Sequence, residues 1–224
     1  MSEGLARLLR TAGIRDPAVL AAIARVPRAA FVPPEAVEEA ERDRPLPIGA
    51  GQTISQPFVV AYMTEQLALA GQEQVLEVGT GSGYQAAVLA LLAREVFSIE
   101  LIPELAHRAA AVLQERLGLA NLRLRVGDGA QGWPEAAPFD RIIVTAATPE
   151  VPAALRAQLA PGGRLLLPLG DPGGDQVLHL VERRGQGETV ETDLLPVRFV
   201  PLVHHSDEGG PTGLAADGDA DGRW

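Results

Sequence analysis

The chain has 224 residues, 46% apolar content and a formal net charge of −10, which suits one substantial core and leaves too little for a second full one. It has no Cys and only four scattered His, so disulfides and thiolate chemistry are excluded and no metal site is expected. Residues 206–224 carry −4 of the charge and the preceding chain −6, an acidic surplus that argues against a nucleic-acid partner and favours small molecules or proteins.

The first residues lack a cationic start followed by an apolar block, and no apolar run approaches the length of a membrane span. No membrane association and a cytoplasmic address are therefore expected. Leu5, Leu8, Leu9 and Ala12 are spaced as one face of a helix that Gly13 ends. A second helix starts at Asp16-Pro17, with Asp as cap and Pro in the first turn, and runs to Val26. After the rigid connector Phe31-Val32-Pro33-Pro34, residues 35–42 suggest a short acidic helix. Residues 43–57 have no period of 2 or 3.6, and so long a loop in a compact domain is uncommon unless it is functional. Its hydroxyls and amides, Gln52, Thr53, Ser55 and Gln56, precede Pro57 at the start of a helix through Leu69. Ser55 or Thr53 could simply cap that helix; alternatively the segment is a substrate loop that approaches a cofactor from the side.

Next comes the stretch Val75-Leu76-Glu77-Val78-Gly79-Thr80-Gly81-Ser82-Gly83-Tyr84, which passes from an apolar run through three alternate glycines into an Ala/Leu-rich helical pattern. Strand, tight turn and helix in that order make a nucleotide-cofactor loop, because glycine permits positive φ and lets a ligand approach the backbone. The dinucleotide fingerprint would need its third glycine where Tyr84 stands. The phosphate-cradling loop would need a lysine, and every basic residue of this chain is Arg. Glu100 ends the next apolar run about 20 residues beyond the turn, where a carboxylate can hold a ribose diol.

From residue 74 onward strands and helices alternate, with strands expected at 74–79, 95–100, 122–126, 140–145 and 163–168 and helices at 83–92, 103–118 and 150–160. Right-handed crossovers then bring Gly79, Glu100, Asp128 and Thr145 to one edge of a mostly parallel sheet. Residues 177–184 and 189–200 lack an intervening helix and read as an antiparallel pair about Arg184-Gly185-Gln186-Gly187. The tail from Ser206 is rich in Gly, Asp and Ala and is expected to be flexible.

Glu-x-Gly-x-Gly-x-Gly with a downstream Glu resembles the S-adenosylmethionine site of Rossmann-like methyltransferases. Within that class the chain is similar to the protein-L-isoaspartate O-methyltransferase family over about residues 5–203. The resemblance is carried by Leu46-Pro47-Ile48-Gly49-x-Gly51-Gln52-Thr53-Ile54-Ser55-Gln56-Pro57, by residues 75–84, by Gly127-Asp128-Gly129, by Pro161-Gly162-Gly163-Arg164-Leu165 and by Val197-Arg198-Phe199-Val200-Pro201-Leu202. It implies an α/β fold: a Rossmann-like, doubly wound, mostly parallel sheet with a C-terminal antiparallel strand pair and N-terminal helices. One methyltransferase domain is expected over 1–205, with helices and substrate loop in 1–70, the cofactor-binding sheet in 74–205 and the tail in 206–224.

The implied reaction is methyl transfer from S-adenosyl-L-methionine to the α-carboxylate of L-isoaspartyl residues in damaged proteins, which initiates repair through a succinimide. By family motif Ser55 is the catalytic serine. Cofactor contacts are implied for Thr53, Ile54, Glu77, Gly79, Thr80, Gly81, Ser82, Gly83, Glu100, Asp128 and Gly129, and substrate contacts for Ile54, Ser55, Val200 and Leu202. An isoaspartyl carboxylate is ionised near neutral pH, so its methylation needs orientation rather than a strong base. The chain departs from the family pattern at Ala40-Glu41-Arg42-Asp43, where an aromatic often precedes the Asp, and at Val203-His204-His205, whose two His are read as exposed. Competing readings are a small-molecule O-methyltransferase and a silent module that binds S-adenosylmethionine and a partner. A nucleic-acid methyltransferase is disfavoured, because Thr145-Ala146-Ala147-Thr148-Pro149 replaces the clamp that holds a flipped base. Without an apolar heptad, a monomer is the default.

Overall fold

A computed structural model describes residues 2–171, 173–185 and 187–203. Gln186 of the expected turn, His204, His205 and the 206–224 tail lie outside the described residues. Helix α1, Glu3–Ala12, buries Leu5 and Leu9 but leaves Leu8 and Ala12 exposed, so its buried stripe is narrower than the expected face. Gly13 ends it at φ 116° as the left-handed cap. Asp16 accepts from the Ala18 and Val19 N–H groups at 2.8 and 3.4 Å and starts α2, Pro17–Arg25. The acidic stretch expected to be helical forms only a 3-10 helix over Pro34–Glu39.

Residues 43–57 are more ordered than their lack of period suggests. Strands β1, Leu46–Gly49, and β2, Gln52–Ile54, pair antiparallel about a turn in which Gly49, Ala50 and Gly51 all have positive φ. Leu46, Ile48 and Ile54 are buried and anchor this ribbon to the core. Helix α3, Pro57–Leu67, follows.

The main sheet has seven strands. In chain order its elements are β3 Gln74–Val78, α4 Tyr84–Ala90, β4 Glu95–Glu100, α5 Pro103–Ala110, β5 Leu122–Val126, β6 Phe139–Val144, α6 Ala153–Gln158, β7 Leu159–Gly170, β8 Gln176–Arg184 and β9 Glu188–Val197. The expected helix over 103–118 changes at Ala111 into a π-helical segment, Ala111–Arg116. Strand β7 begins at Leu159, earlier than expected, because α6 stops at Gln158.

The strand order is β5-β4-β3-β6-β7-β8-β9, with β3 to β7 parallel and the last two pairings antiparallel, as a doubly wound sheet with a C-terminal antiparallel pair requires. Because the inner strands are covered on both sides, their sequences run almost continuously apolar. Val75, Val96, Ile143 and Leu166 join the core under the N-terminal helices, α3 and α4. Leu76, Val78, Ile142 and Val144 join the opposite core with Trp133, Phe139 and Leu155.

Candidate active site

Strands β4 and β5 lie on one side of β3 and β6 to β9 on the other, so the connections leaving β3 and β6 diverge. Open α/β sheets bind ligands at that switch point, outside the carboxyl ends of the strands. Here it opens into a cleft of about 600 Å³, within the roughly 300–1,000 Å³ of small-molecule sites. Its walls come from the ribbon at 52–55, the glycine turn at 79–82, the end of β4 at 99–103, Thr145 and Ala146 after β6, and the segment 200–203.

Gly79 sits at the switch point with φ +94°. A Cβ there would fall 2.5 Å from Thr145 Oγ1, which donates to the carbonyls of Gly79 and Val78 at 2.6 and 3.1 Å. Only a bare backbone fits between the two diverging loops. Thr80, Gly81 and Ser82 line the cleft beside it, whereas Gly83 does not. A Cβ at Gly83 would lie 3.0 Å from Leu113 Cδ1, so this glycine lets α4 approach the π segment and leaves Tyr84 and Gln85 to line the cleft.

Glu100 is nearly buried at the tip of β4, and its carboxylate accepts from the Gly81 N–H at 2.7 Å and the Ile102 N–H at 3.0 Å. An ionised carboxylate has about four acceptor positions, so capacity remains for a diol. Glu77 lies elsewhere: it is fully buried in β3, absent from the cleft lining, and accepts from Ser98 Oγ at 2.5 Å. Ser98 Oγ is in turn 2.6 Å from Thr80 Oγ1, so Glu77 reaches the cleft through two hydroxyls. Burial pushes its carboxyl up to about 8, with the Ser98 bond opposing and the charge of Glu100 adding to the shift. Asp128 is likewise off the lining; it caps the short 3-10 turn after β5 by accepting from the Ala130 N–H at 2.9 Å, while Gly129 reaches the cleft.

Neither Thr53 nor Ser55 caps α3. That work falls to Asp43, which accepts from the Phe58 N–H at 2.8 Å and from Gln56 Nε2 at 3.0 Å. Thr53, Ile54 and Ser55 are thereby left on the cleft wall. Behind them stands Arg28, fully buried, which donates to the carbonyls of Ala40, Arg44 and Ser55 at 2.7, 3.1 and 3.0 Å and sits 5.8 Å from the Tyr84 ring centroid. Sequence reasoning passed over Arg28, although it is the sole charged residue between Val26 and Pro34. The segment 200–202 is held by Ala147, whose N–H donates to the Val200 carbonyl at 2.8 Å and whose carbonyl accepts from the Leu202 N–H at 2.7 Å. That clamp brings Val200 and Leu202 onto the lining.

Among the described residues that line the cleft, Glu100 is the only charged one. A phosphate-bearing cofactor would find no cation there, and Tyr84 blocks the dinucleotide pattern; a nucleoside carrying a sulfonium meets no such conflict. Fold and cleft together define an S-adenosylmethionine-dependent methyltransferase.

Comparison with known proteins narrows the class. The family model described as Protein-L-isoaspartate(D-aspartate) O-methyltransferase matches residues 1–207. A protein-L-isoaspartate O-methyltransferase of Anaeromyxobacter sp. (strain Fw109-5) is 65% identical over 91% of this chain and 96% of its own. That of Myxococcus xanthus is 56% identical over 89% of this chain and 95% of its own. A solved protein-L-isoaspartate O-methyltransferase superposes with a TM-score of 0.82 at 31% identity, covering 90% of this chain and 65% of that one. A Plasmodium falciparum structure in complex with S-adenosyl-L-homocysteine gives 0.78 at 25% identity, covering 90% and 97%. The chain belongs to the protein-L-isoaspartate O-methyltransferase family. Its activity is methyl transfer from S-adenosylmethionine to the α-carboxylate of L-isoaspartyl residues, the first step of their repair through a succinimide.

Proposed function

We propose that Ser55 is the catalytic residue of this transfer and works by orienting the acceptor carboxylate. The single observation that carries the reading is the absence of any cation among the described lining residues, beside hydroxyls from Thr53 and Ser55. S-adenosylmethionine, when bound, supplies the electrophilic methyl of a sulfonium. The acceptor oxygen attacks with a lone pair it already has, since the carboxylate is ionised at neutral pH and no base is required. A C–O bond forms as the S–C bond breaks, and the sulfur keeps the electron pair. A neutral hydroxyl can hold one carboxylate oxygen and leave the other reactive, whereas a guanidinium would quench both. Ile54, Val200 and Leu202 supply the apolar walls that exclude water from the acceptor.

On the cofactor side, we assign the ribose diol to Glu100 and the methionine portion to Gly79, Thr80, Gly81 and Ser82. Gly83 shapes the turn, Thr53 and Ile54 close over it, and Asp128 with Gly129 borders the adenine. Glu77 acts indirectly, through Ser98 and Thr80. Support for these roles is that all of them except Glu77, Gly83 and Asp128 line one cleft. The same reading takes residues 1–205 as one methyltransferase domain acting as a cytoplasmic monomer on proteins and peptides rather than nucleic acid, in keeping with the net charge of −10. No helix among the described residues is long and apolar enough to cross a membrane.

Ser55→Ala tests the assignment. With a short L-isoaspartyl peptide, kcat is expected to fall at least ~10-fold, the range of one well-placed orienting hydrogen bond, while S-adenosylhomocysteine affinity stays unchanged. Unchanged kcat would remove Ser55 from the role. Base-labile label on the isoaspartyl peptide, and none on its normal aspartyl twin, identifies the product as the expected ester.

A further inference from the structure

A second recess of about 430 Å³ adjoins the catalytic cleft, and the two share Thr53, Ser55, Thr145 and Val200 as walls. The acceptor is a residue within a polypeptide, so the chain on at least one side of it has to leave the cleft, and the recess opens directly from the Ser55 and Val200 end. Its other walls are mostly apolar, with Pro45, Phe58, Val59, Pro196 and Phe199 among them. Among the described residues of the lining, Arg198 is the only charged one. It is exposed, and no hydrogen bond or ion pair holds its side chain among the described residues.

The backbone around Arg198 is fixed. Val197 pairs with Gln176 at the end of the β8–β9 ladder, and Gln176 grips Phe199 twice, accepting from its N–H at 2.6 Å and donating to its carbonyl at 3.2 Å. A free guanidinium is thus presented from a pinned position at the edge of an apolar recess. The rest of the molecule has an acidic surplus and repels anionic peptides, which makes this cation the local exception.

We propose that Arg198 is a specificity-determining residue that favours isoaspartyl sites flanked by an acidic side chain, with the flanking segment lying in the recess. The proposal rests on the reading of Ser55 and Val200 as the acceptor end of the cleft. A guanidinium pairs well with a carboxylate, and a pair at a partly apolar surface is screened less than one in open solvent. Because the contact is made equally before and during methyl transfer, it acts on KM and leaves kcat unchanged.

The test uses isoaspartyl peptides that differ at one flanking position, scanned two residues to either side, carrying Glu, Gln or Lys. For the full chain, the Glu peptide at the responsive position is expected to have a KM about three- to tenfold below that of the Lys peptide, at equal kcat and less so in high salt. Arg198→Gln should level the series and Arg198→Glu should invert it. Equal KM values across the series at every position would overturn the proposal, as would a uniform change in KM for all peptides on Arg198→Gln. Failure of the underlying site reading is distinguishable, since it appears as an unaltered kcat in Ser55→Ala and leaves the peptide ranking in place.

Discussion

Glu77 stands two hydroxyls away from the cleft and does not line it. In the pattern Glu-x-Gly-x-Gly-x-Gly it stands two positions before the turn, and its parity with Val75 directs it into the core under α3 and α4 rather than to the cleft. One of its oxygens is satisfied by Ser98 and the other, Oε1, has no partner. Desolvation therefore dominates, and the carboxyl is pushed up to about 8. Between the ordinary carboxylate value and about 8, the folded chain keeps a proton that the unfolded chain has released. Stability is thus fully present at acid pH, falls as pH rises through that window and levels off above it. Glu77→Gln cannot ionise and should flatten this dependence. Denaturant unfolding at pH 5 and pH 8.5 is expected to show a loss smaller by on the order of 2 kcal/mol in the variant, and equal losses in both proteins would show that Glu77 does not hold its proton. That an acid belonged at this place was legible in the sequence. Its partner was not, because Ser98 lies 21 residues away and meets it only through the β3–β4 register, which pairs the two directly.

At the level of elements, the ribbon β1–β2 is where sequence and structure diverge most. Period-2 alternation is broken by Pro47 and by three successive positive-φ positions, 49 to 51, so the stretch reads as irregular. A two-stranded ribbon has only edges, which is why it accommodates Pro47. The polar residues of that stretch were recognisable as candidates, and Thr53 and Ser55 do line the cleft, but the division of labour among them was hidden: Asp43 caps α3 from 15 residues before Phe58, a contact no local motif announces. Arg28 is hidden for a related reason, since its three carbonyl partners come from 12 to 27 residues further along the chain. Asp43→Ala removes the cap and should cost about 1–2 kcal/mol in thermal or denaturant unfolding. Because Gln56 and Phe58 are released beside Ser55, kcat should fall as well, even at temperatures where the variant is fully folded. Thr53→Ala should leave stability within ~0.5 kcal/mol, since that hydroxyl caps nothing. A comparable stability loss in Thr53→Ala would overturn this division of labour.

Across the whole molecule, the alternation of strands and helices from residue 74 made the parallel sheet and its carboxyl edge readable, because strands covered on both sides are apolar on both faces and parallel crossovers as a rule have one hand. Reversal of strand order at β3 is a global property, and its consequence falls on one atom position. Gly79 leaves β3 where Thr145 leaves β6, and the two chains are tied by the Thr145 hydroxyl. Gly79→Ala places a methyl 2.5 Å from Thr145 Oγ1 at a φ of +94°, so the loops must part or the turn must refold. Either response moves the cleft floor. Ligand that binds only the folded state stabilises it by about 2.7 kcal/mol at 100 times its Kd, which for a chain of this size raises Tm by roughly 5–10 °C. S-adenosylhomocysteine should therefore raise the Tm of the unaltered chain by that amount and that of Gly79→Ala by almost nothing at the same concentration. The ligand-free Tm of the variant should also fall, since strain at a positive φ and a displaced hydroxyl act without ligand. A variant with a lowered Tm but a full ligand shift would place the strain outside the cleft, and the switch point would then be structural at Gly79 and not part of the binding surface.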